Sequence, residues 1–246
     1  MNIKLISTFS DAGYYDYAKH FVESCIKNLK YINVVIYKDN VELSDTNSVK
    51  FLNLENTCPD LVKFKKRNSE KTYKDFRFDA VRFAHKVYAT IHASREDNLD
   101  YLIWLDADTE IYDTVTAEYL IKFLPKGKFV GYIGRDTVTE TGFLIFNMRH
   151  PEAKNFFDRY EWYYNTDSIY EQPEFHDGFI FDVVRKEFEL DNRISSQNIS
   201  PLEATKNHFN AAFEGYMLHY KGGRKEKREG QIAKALRRKH KNESIS

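Results

Sequence analysis

Residues 101–108 read Tyr-Leu-Ile-Trp-Leu-Asp-Ala-Asp. Five consecutive apolar residues bounded by acids predict a short strand buried on both faces, as strands inside parallel sheets are. In α/β sheets, ligands bind outside the carboxyl ends of the strands. Asp106 and Asp108 therefore emerge where a substrate would sit. Residues two apart in extended backbone point to one side, so the two carboxylates face together and Ala107 faces away. Neighbouring carboxylates repel, and a divalent cation relieves the repulsion. Oxygen donors suit magnesium or manganese, which commonly bind through one or two carboxylates plus substrate phosphates. The competing reading is a pair of solvated turn or cap residues. An Asp-x-Asp triplet arises about once by chance in a chain of 18 Asp, so the buried strand before it, and not the triplet, carries the metal reading.

Outward from this stretch, short apolar runs alternate with helical patterns. Residues 3–9 and 32–37 read as buried strands, and 49–54 as a third. Between the first two, residues 14–29 place Ala18, Phe21, Val22, Cys25, Ile26 and Leu29 at helical spacing. Residues 55–74 are polar and basic and predict a loop with some local helix. A strong helix is expected over 76–93, and a short one over 116–124, stopped by Pro125. Residues 129–133 and 142–148 predict a strand pair. Pro151 suits the first turn of another helix. Residues 176–188 predict a further helix, 216–220 a late strand, and the stretch from Glu226 onward is helix-prone. The alternation predicts an α/β fold with a mostly parallel sheet flanked by helices and a smaller antiparallel part. One domain is expected over residues 1–225, followed by a basic tail over 226–246.

Composition sets limits on function. The 246 residues are 42% hydrophobic and 15% aromatic, which excludes a disordered chain, and 30% charged, which excludes a fibrous or membrane-embedded one. The 37 basic and 37 acidic residues balance, so net charge does not draw this protein to nucleic acid. The balance hides an asymmetry: ten Lys/Arg against three Asp/Glu from Lys221 onward leave the first 220 residues acidic. Cys25 and Cys58 form no framework, and no apolar run has the length of a membrane span or of a signal peptide core. A soluble, cytoplasmic protein is expected. The tail, with Ile232, Ala235 and Leu236 among its cations, is expected either on an anionic inner membrane surface near a lipid-linked acceptor, or as a solvated helix closing over a diphosphate.

Several segments together resemble the metal-dependent nucleotide-sugar glycosyltransferases of the GT-A fold, loosely those of the glycogenin-like and galactosyltransferase-like family. They are Asp79-Ala-Val-Arg82, the strand with Asp106 and Asp108, Thr141-Gly142-Phe-Leu-Ile-Phe-Asn147, Phe175-His176-Asp177-Gly178, and Leu218-His219-Tyr220-Lys221-Gly222-Gly223-Arg224-Lys225. The resemblance implies a sugar moved from a nucleoside-diphosphate sugar, typically a uridine diphosphate sugar, to a hydroxyl on a glycan, lipid-linked or protein acceptor. Metal would be held by Asp106, Asp108 and His219, manganese tolerating the imidazole better than magnesium does. Arg82 and Lys225 would add positive charge beside the departing diphosphate, and Gly222 and Gly223 would admit phosphate to the backbone. Asp79 and Arg82 would contact donor sugar and phosphate. Asp39, after the second strand, would accept a hydrogen bond from the base, with Tyr14, Tyr15 and Tyr17 as an aromatic surface. Asp177 would lie near the anomeric carbon, as general base or as a stabiliser of an oxocarbenium-like sugar, with Glu174 a weaker substitute. Lys86, four residues after Arg82 on the same helix face, could point into the site with it, but a solvent-facing lysine is the preferred reading. His219 read alone is a core or surface histidine before a basic turn, and Asp177 an acid at a helix start.

The sequence departs from the family pattern in three respects: Thr141 stands where asparagine is expected, His176-Asp177 stands in place of the Asp-Gln segment, and no tryptophan follows Lys225. A nucleotidyltransferase is the rival enzyme. Its usual glycine-rich basic loop is missing from Ser7-Thr-Phe-Ser-Asp-Ala-Gly13, which has one glycine and no cation. A non-catalytic carbohydrate- or protein-binding domain is the rival of a different class.

Overall fold

A computed structural model describes residues 1–71, 73–201, 207–220 and 232. Besides a two-residue parallel pair, Leu29–Lys30 with Val115–Thr116, its strands are β1 (Ile3–Phe9), β2 (Asn33–Lys38), β3 (Val49–Asn53), β4 (Tyr101–Leu105), β5 (Thr109–Ile111), β6 (Val130–Ile133), β7 (Glu140–Asn147), β8 (Ser196–Asn198) and β9 (Met217–His219). Seven form one sheet in the order β8-β6-β7-β4-β1-β2-β3. Neighbours are parallel except β7, which runs antiparallel to both β4 and β6. The chain winds outward from β1 to β3, then returns to place β4 on the other side of β1. That reversal makes the carboxyl ends of β1 and β4 the natural crevice of the sheet. A separate antiparallel ribbon pairs β5 with β9, His219 opposite Thr109.

The expectation for residues 101–105 is met on both faces. Leu102 and Trp104 enter one core layer, Ile103 and Leu105 the other. The first layer is covered by α2 (Pro59–Arg67), α3 (Ala80–Ser94), α4 (Ala153–Asn165) and α5 (Asp177–Leu190), which bring Phe64, Tyr88, Phe156, Tyr164 and Phe181 onto the sheet. The second is covered by α1 (residues 11–28) and the short helix His208–Ala212, with Phe21, Phe209 and Phe213. Within α1 the first turn, Asp11–Gly13, passes into π-turns over Tyr14–Ala18 before regular helix over Lys19–Asn28. Ser10 caps it by accepting the Gly13 N–H at 3.1 Å.

Several expectations are corrected. Residues 55–74 are not mainly loop: they hold the helix Leu54–Thr57 and α2. Asn53 caps the first and Pro59 starts the second, while Leu61 and Phe64, three apart, supply a buried stripe hidden by the basic composition. The helix expected over 76–93 is divided into a 3-10 turn, Phe76–Phe78, and α3, because Asp79 turns its carboxylate back onto the Arg82 N–H at 3.2 Å. Pro151 precedes α4 in a turn and lies outside the helix, which begins at Ala153. The helix expected over 116–124 is shorter, Ala117–Ile121, with Thr116 as its cap. β5, β8 and His208–Ala212 are too short to show a sequence period. Among the described residues, no helix is long and apolar enough to cross a membrane. Of the tail, Ile232 alone is described, and it packs against Leu218 and Tyr220.

Candidate active site

Beyond Leu105 the chain turns sharply. The Asp106 N–H donates to Gly142 O at 2.9 Å and the Thr109 N–H to Asp106 O at 3.0 Å. This turn holds both acids at the crevice. Asp106 Oδ1 accepts from the Trp104 indole N–H at 2.6 Å and from Lys86 Nζ at 3.2 Å. Its other oxygen faces His219, with Nε2 3.8 Å away. Asp108 Oδ1 stands 2.7 Å from the same Nε2. One donor atom from each of Asp106, Asp108 and His219 lies within 4.8 Å of the others.

His219 reaches the acids because β9 pairs with β5 directly after them. Its N–H donates to Asn210 Oδ1 at 2.7 Å, and its ring lies 4.9 Å from that of Phe209. Behind the ring, Nδ1 is 3.2 Å from Glu140 Oε1, with an alignment short of a good hydrogen bond. Glu140 is buried and pairs with Arg135. A carboxylate behind an imidazole fixes the ring's orientation and strengthens the other nitrogen as a ligand. Gly142 completes the fit. A Cβ there would stand 3.0 Å from His219 Cε1, 3.1 Å from Nδ1 and 3.4 Å from Asp106 Oδ2. Two carboxylates and a backed imidazole, brought together over a bare glycine, suit a divalent cation such as manganese or magnesium.

Lys86 departs from its expected place at the surface. Its face of α3 lies on Trp104, with Nζ 4.8 Å from the ring, whereas Arg82 one turn earlier is exposed. Nζ pairs with Asp177 Oδ2 at 2.8 Å and donates to Thr141 O at 2.5 Å. Burial pulls its pKa down, but Asp106 and Asp177 outweigh burial and hold it above the ordinary lysine value. Asp177, at the first position of α5, is buried and also accepts from the Thr141 hydroxyl at 2.5 Å. Burial raises its pKa, yet Lys86 and this hydroxyl carry it below the usual carboxylate range. Thr141 thus has its own use in place of the expected asparagine. Glu174 lies 3.0 Å from His176 Nε2, and the His176 ring sits between those of Phe76 and Phe83, at 5.7 and 6.1 Å.

The remaining expected residues gather around the ends of β1 and β2. Tyr17 feels the acids: burial first, then Asp108 and Asp106, raise its pKa, and Arg82 opposes them. Gly13 makes room for it, since a Cβ there would come 2.6 Å from the Tyr17 hydroxyl. Tyr14 packs on Phe9 at 5.5 Å, while Tyr15 is mostly exposed. Asp39 follows β2, its pKa raised by burial and then by Asp11. Asp11 fastens the adjoining loop by accepting the Asn40 and Val41 N–H groups at 2.8 and 2.6 Å. Asp79 serves α3 as its cap. Gly222 and Lys225, with Lys221, Gly223 and Arg224, lie outside the described residues. The path toward them begins at Tyr220, whose N–H donates to Asp108 O at 2.9 Å.

Sequence reasoning missed Glu140 and Arg135 as site residues, and preferred the solvent for Lys86 over the site it could also have faced. Glu140 carried a usable signal: it lies two residues before Gly142 on one strand and therefore shares its side. Arg135 carried none.

No protein-family model and no curated protein matches the chain. Among solved structures it is similar to mouse xyloside xylosyltransferase 1 in its apo form, with a TM-score of 0.53 over 81% of this chain and 86% of that one, at 12% identity. A weaker likeness, with a TM-score of 0.43 at 12% identity, joins 72% of this chain to 69% of the galactosyltransferase LgtC in complex with donor and acceptor sugar analogs. GlyE of Streptococcus pneumoniae TIGR4 gives 0.46 at 10% identity, over 80% of this chain and 45% of that one. The fold is of the GT-A kind: a mixed, mostly parallel seven-stranded sheet flanked by helices.

Proposed function

We propose that this protein is a glycosyltransferase that moves a sugar from a nucleoside-diphosphate sugar, with uridine diphosphate as carrier, to a hydroxyl of an acceptor. The observation that carries the reading is the meeting of Asp106, Asp108 and His219 at the carboxyl end of the central strand. The fold shared with a xylosyltransferase supports it. A bound manganese or magnesium ion would act as a Lewis acid toward the departing diphosphate. Asp106, Asp108 and His219 hold the ion, and Glu140 keeps the imidazole turned toward it. Arg82 from the rim, and Lys225 by its place in the motif after His219, would add fixed charge to the diphosphate. Asp39, Tyr14 and Tyr17 receive the nucleoside at the ends of β1 and β2.

Of the two roles open to Asp177, stabilising positive charge on the sugar fits its surroundings better. A carboxylate held ionised by Lys86, with Oδ2 already accepting two hydrogen bonds, is a weak base. The basic tail would serve either the diphosphate or an anionic membrane surface carrying the acceptor.

A thermal-shift panel of nucleotide sugars, with and without manganese, tests the reading. A true donor raises the melting temperature through linkage, and chelation removes most of the rise. No shift with any nucleotide sugar would count against it. Metal-dependent release of sugar from the same donor separates an enzyme from a binding domain. The single glycine and missing cation of residues 7–13 disfavour a nucleotidyltransferase.

A further inference from the structure

Sugar transfer as outlined leaves the Lys86 amine without a direct duty. Nζ meets Asp177 Oδ2 at 2.8 Å, Asp106 Oδ1 at 3.2 Å and Thr141 O at 2.5 Å. An ammonium has three N–H bonds, and three acceptors surround it. It is fully engaged, charged, and unable to act as a nucleophile. On Asp106 its effect is one-sided. Oδ1 already accepts from Trp104 at 2.6 Å, so two donors occupy that oxygen. Oδ2 is the oxygen turned toward His219 and Gly142. Asp106 therefore offers a cation one oxygen, while a fixed positive charge sits on the other. At this short range that charge both draws electron density from the carboxylate and repels an incoming ion.

We propose that Lys86 holds down the protein's own affinity for its divalent cation, so that the ion is gripped firmly only when a diphosphate contributes further oxygens. This rests on the metal-assisted reading above. A hard divalent ion readily shares its coordination between carboxylates and substrate phosphates. Lys86 would make that sharing obligatory, which couples metal retention to donor binding. A purely structural lysine predicts the opposite sign. Its loss would leave Asp177 buried without a partner, loosen the site and weaken the ion's hold.

The test measures manganese binding to the full chain by the paramagnetic resonance of free Mn2+, without nucleotide and with uridine diphosphate. The wild type is expected to bind Mn2+ weakly alone and at least tenfold more tightly with the diphosphate. Lys86→Met should bind Mn2+ tenfold or more tightly than wild type without nucleotide, and gain less from the diphosphate. Lys86→Arg, which keeps the charge, should retain the wild-type pattern. Should Lys86→Met fail to fold, Lys86→Met/Asp177→Asn removes both buried charges together and decides alone, with severalfold tightening expected. Mn2+ affinity equal to or weaker than wild type in the folded variants overturns the proposal and leaves the metal-assisted reading standing. No Mn2+ binding to the wild type, with or without the diphosphate, overturns both.

Discussion

Gly142→Ala isolates the geometry of the site from the stability of the fold. An added Cβ would stand 3.0 Å from His219 Cε1, 3.1 Å from Nδ1 and 3.4 Å from Asp106 Oδ2. Carbon atoms pack best at about 3.5–4.0 Å, so the ring must retreat by roughly half an ångström. Its retreat is opposed by Glu140 at 3.2 Å and by the Phe209 ring at 4.9 Å. Such overpacking costs about 1–3 kcal/mol, which lowers the melting temperature by about 2–4 °C per kcal/mol in a chain of this size. A displaced imidazole should weaken Mn2+ binding by about 10–100-fold, the effect common when the support of a metal ligand is disturbed. Gly127→Ala is the control. Its φ is +84° with nothing within 4 Å of the added Cβ, so it strains the backbone, by about 1–2 kcal/mol, and touches no site residue. Calorimetric melting and Mn2+ titration of both variants give the comparison. Both should lose stability, and Gly142→Ala alone should lose Mn2+ affinity. Wild-type affinity in Gly142→Ala would refute the convergence of His219 and Asp106 beside this glycine.

Asp108→Asn should remain folded and lose Mn2+-dependent donor turnover by about 100-fold or more, checked with and without chelator. Glu140→Gln removes the charge behind His219 and leaves Arg135 unpaired. It should weaken Mn2+ binding by about tenfold and lower the melting temperature, both read on the same sample. His85 predicts an acid limb in stability. Burial, with Lys65 second, pushes its pKa down to about 4, so between that value and the ordinary histidine range the unfolded chain binds the proton that the folded chain refuses. Stability therefore falls as pH drops through this window, by at most about 3 kcal/mol from this residue. Urea midpoints between pH 7 and pH 4.5 should fall less steeply in His85→Leu than in the wild type.

The sequence by itself determined the central strand, the two acids at its tip and the α/β class. Each follows from a local property: an unbroken apolar run from Tyr101 to Leu105, the two-residue side-chain period that aligns Asp106 with Asp108, and the alternation of strand and helix patterns. It also pointed to His219, through the motif around it. The position of Lys86 was decided only in three dimensions. Helical periodicity puts Lys86 on the same face as Arg82, but the sheet beneath α3 decides that one is buried over Trp104 and the other exposed. Glu140 behind His219 is likewise tertiary, since β7 reaches the site by pairing with β4 and β9 by pairing with β5, neither strand adjoining the other in the chain. The helix α2 escaped notice because its cations mask a two-residue apolar stripe whose meaning depends on the core it meets. Local spacing sets which side chains share a face, whereas long-range packing sets which face meets the core and which charges are left to neutralise one another there.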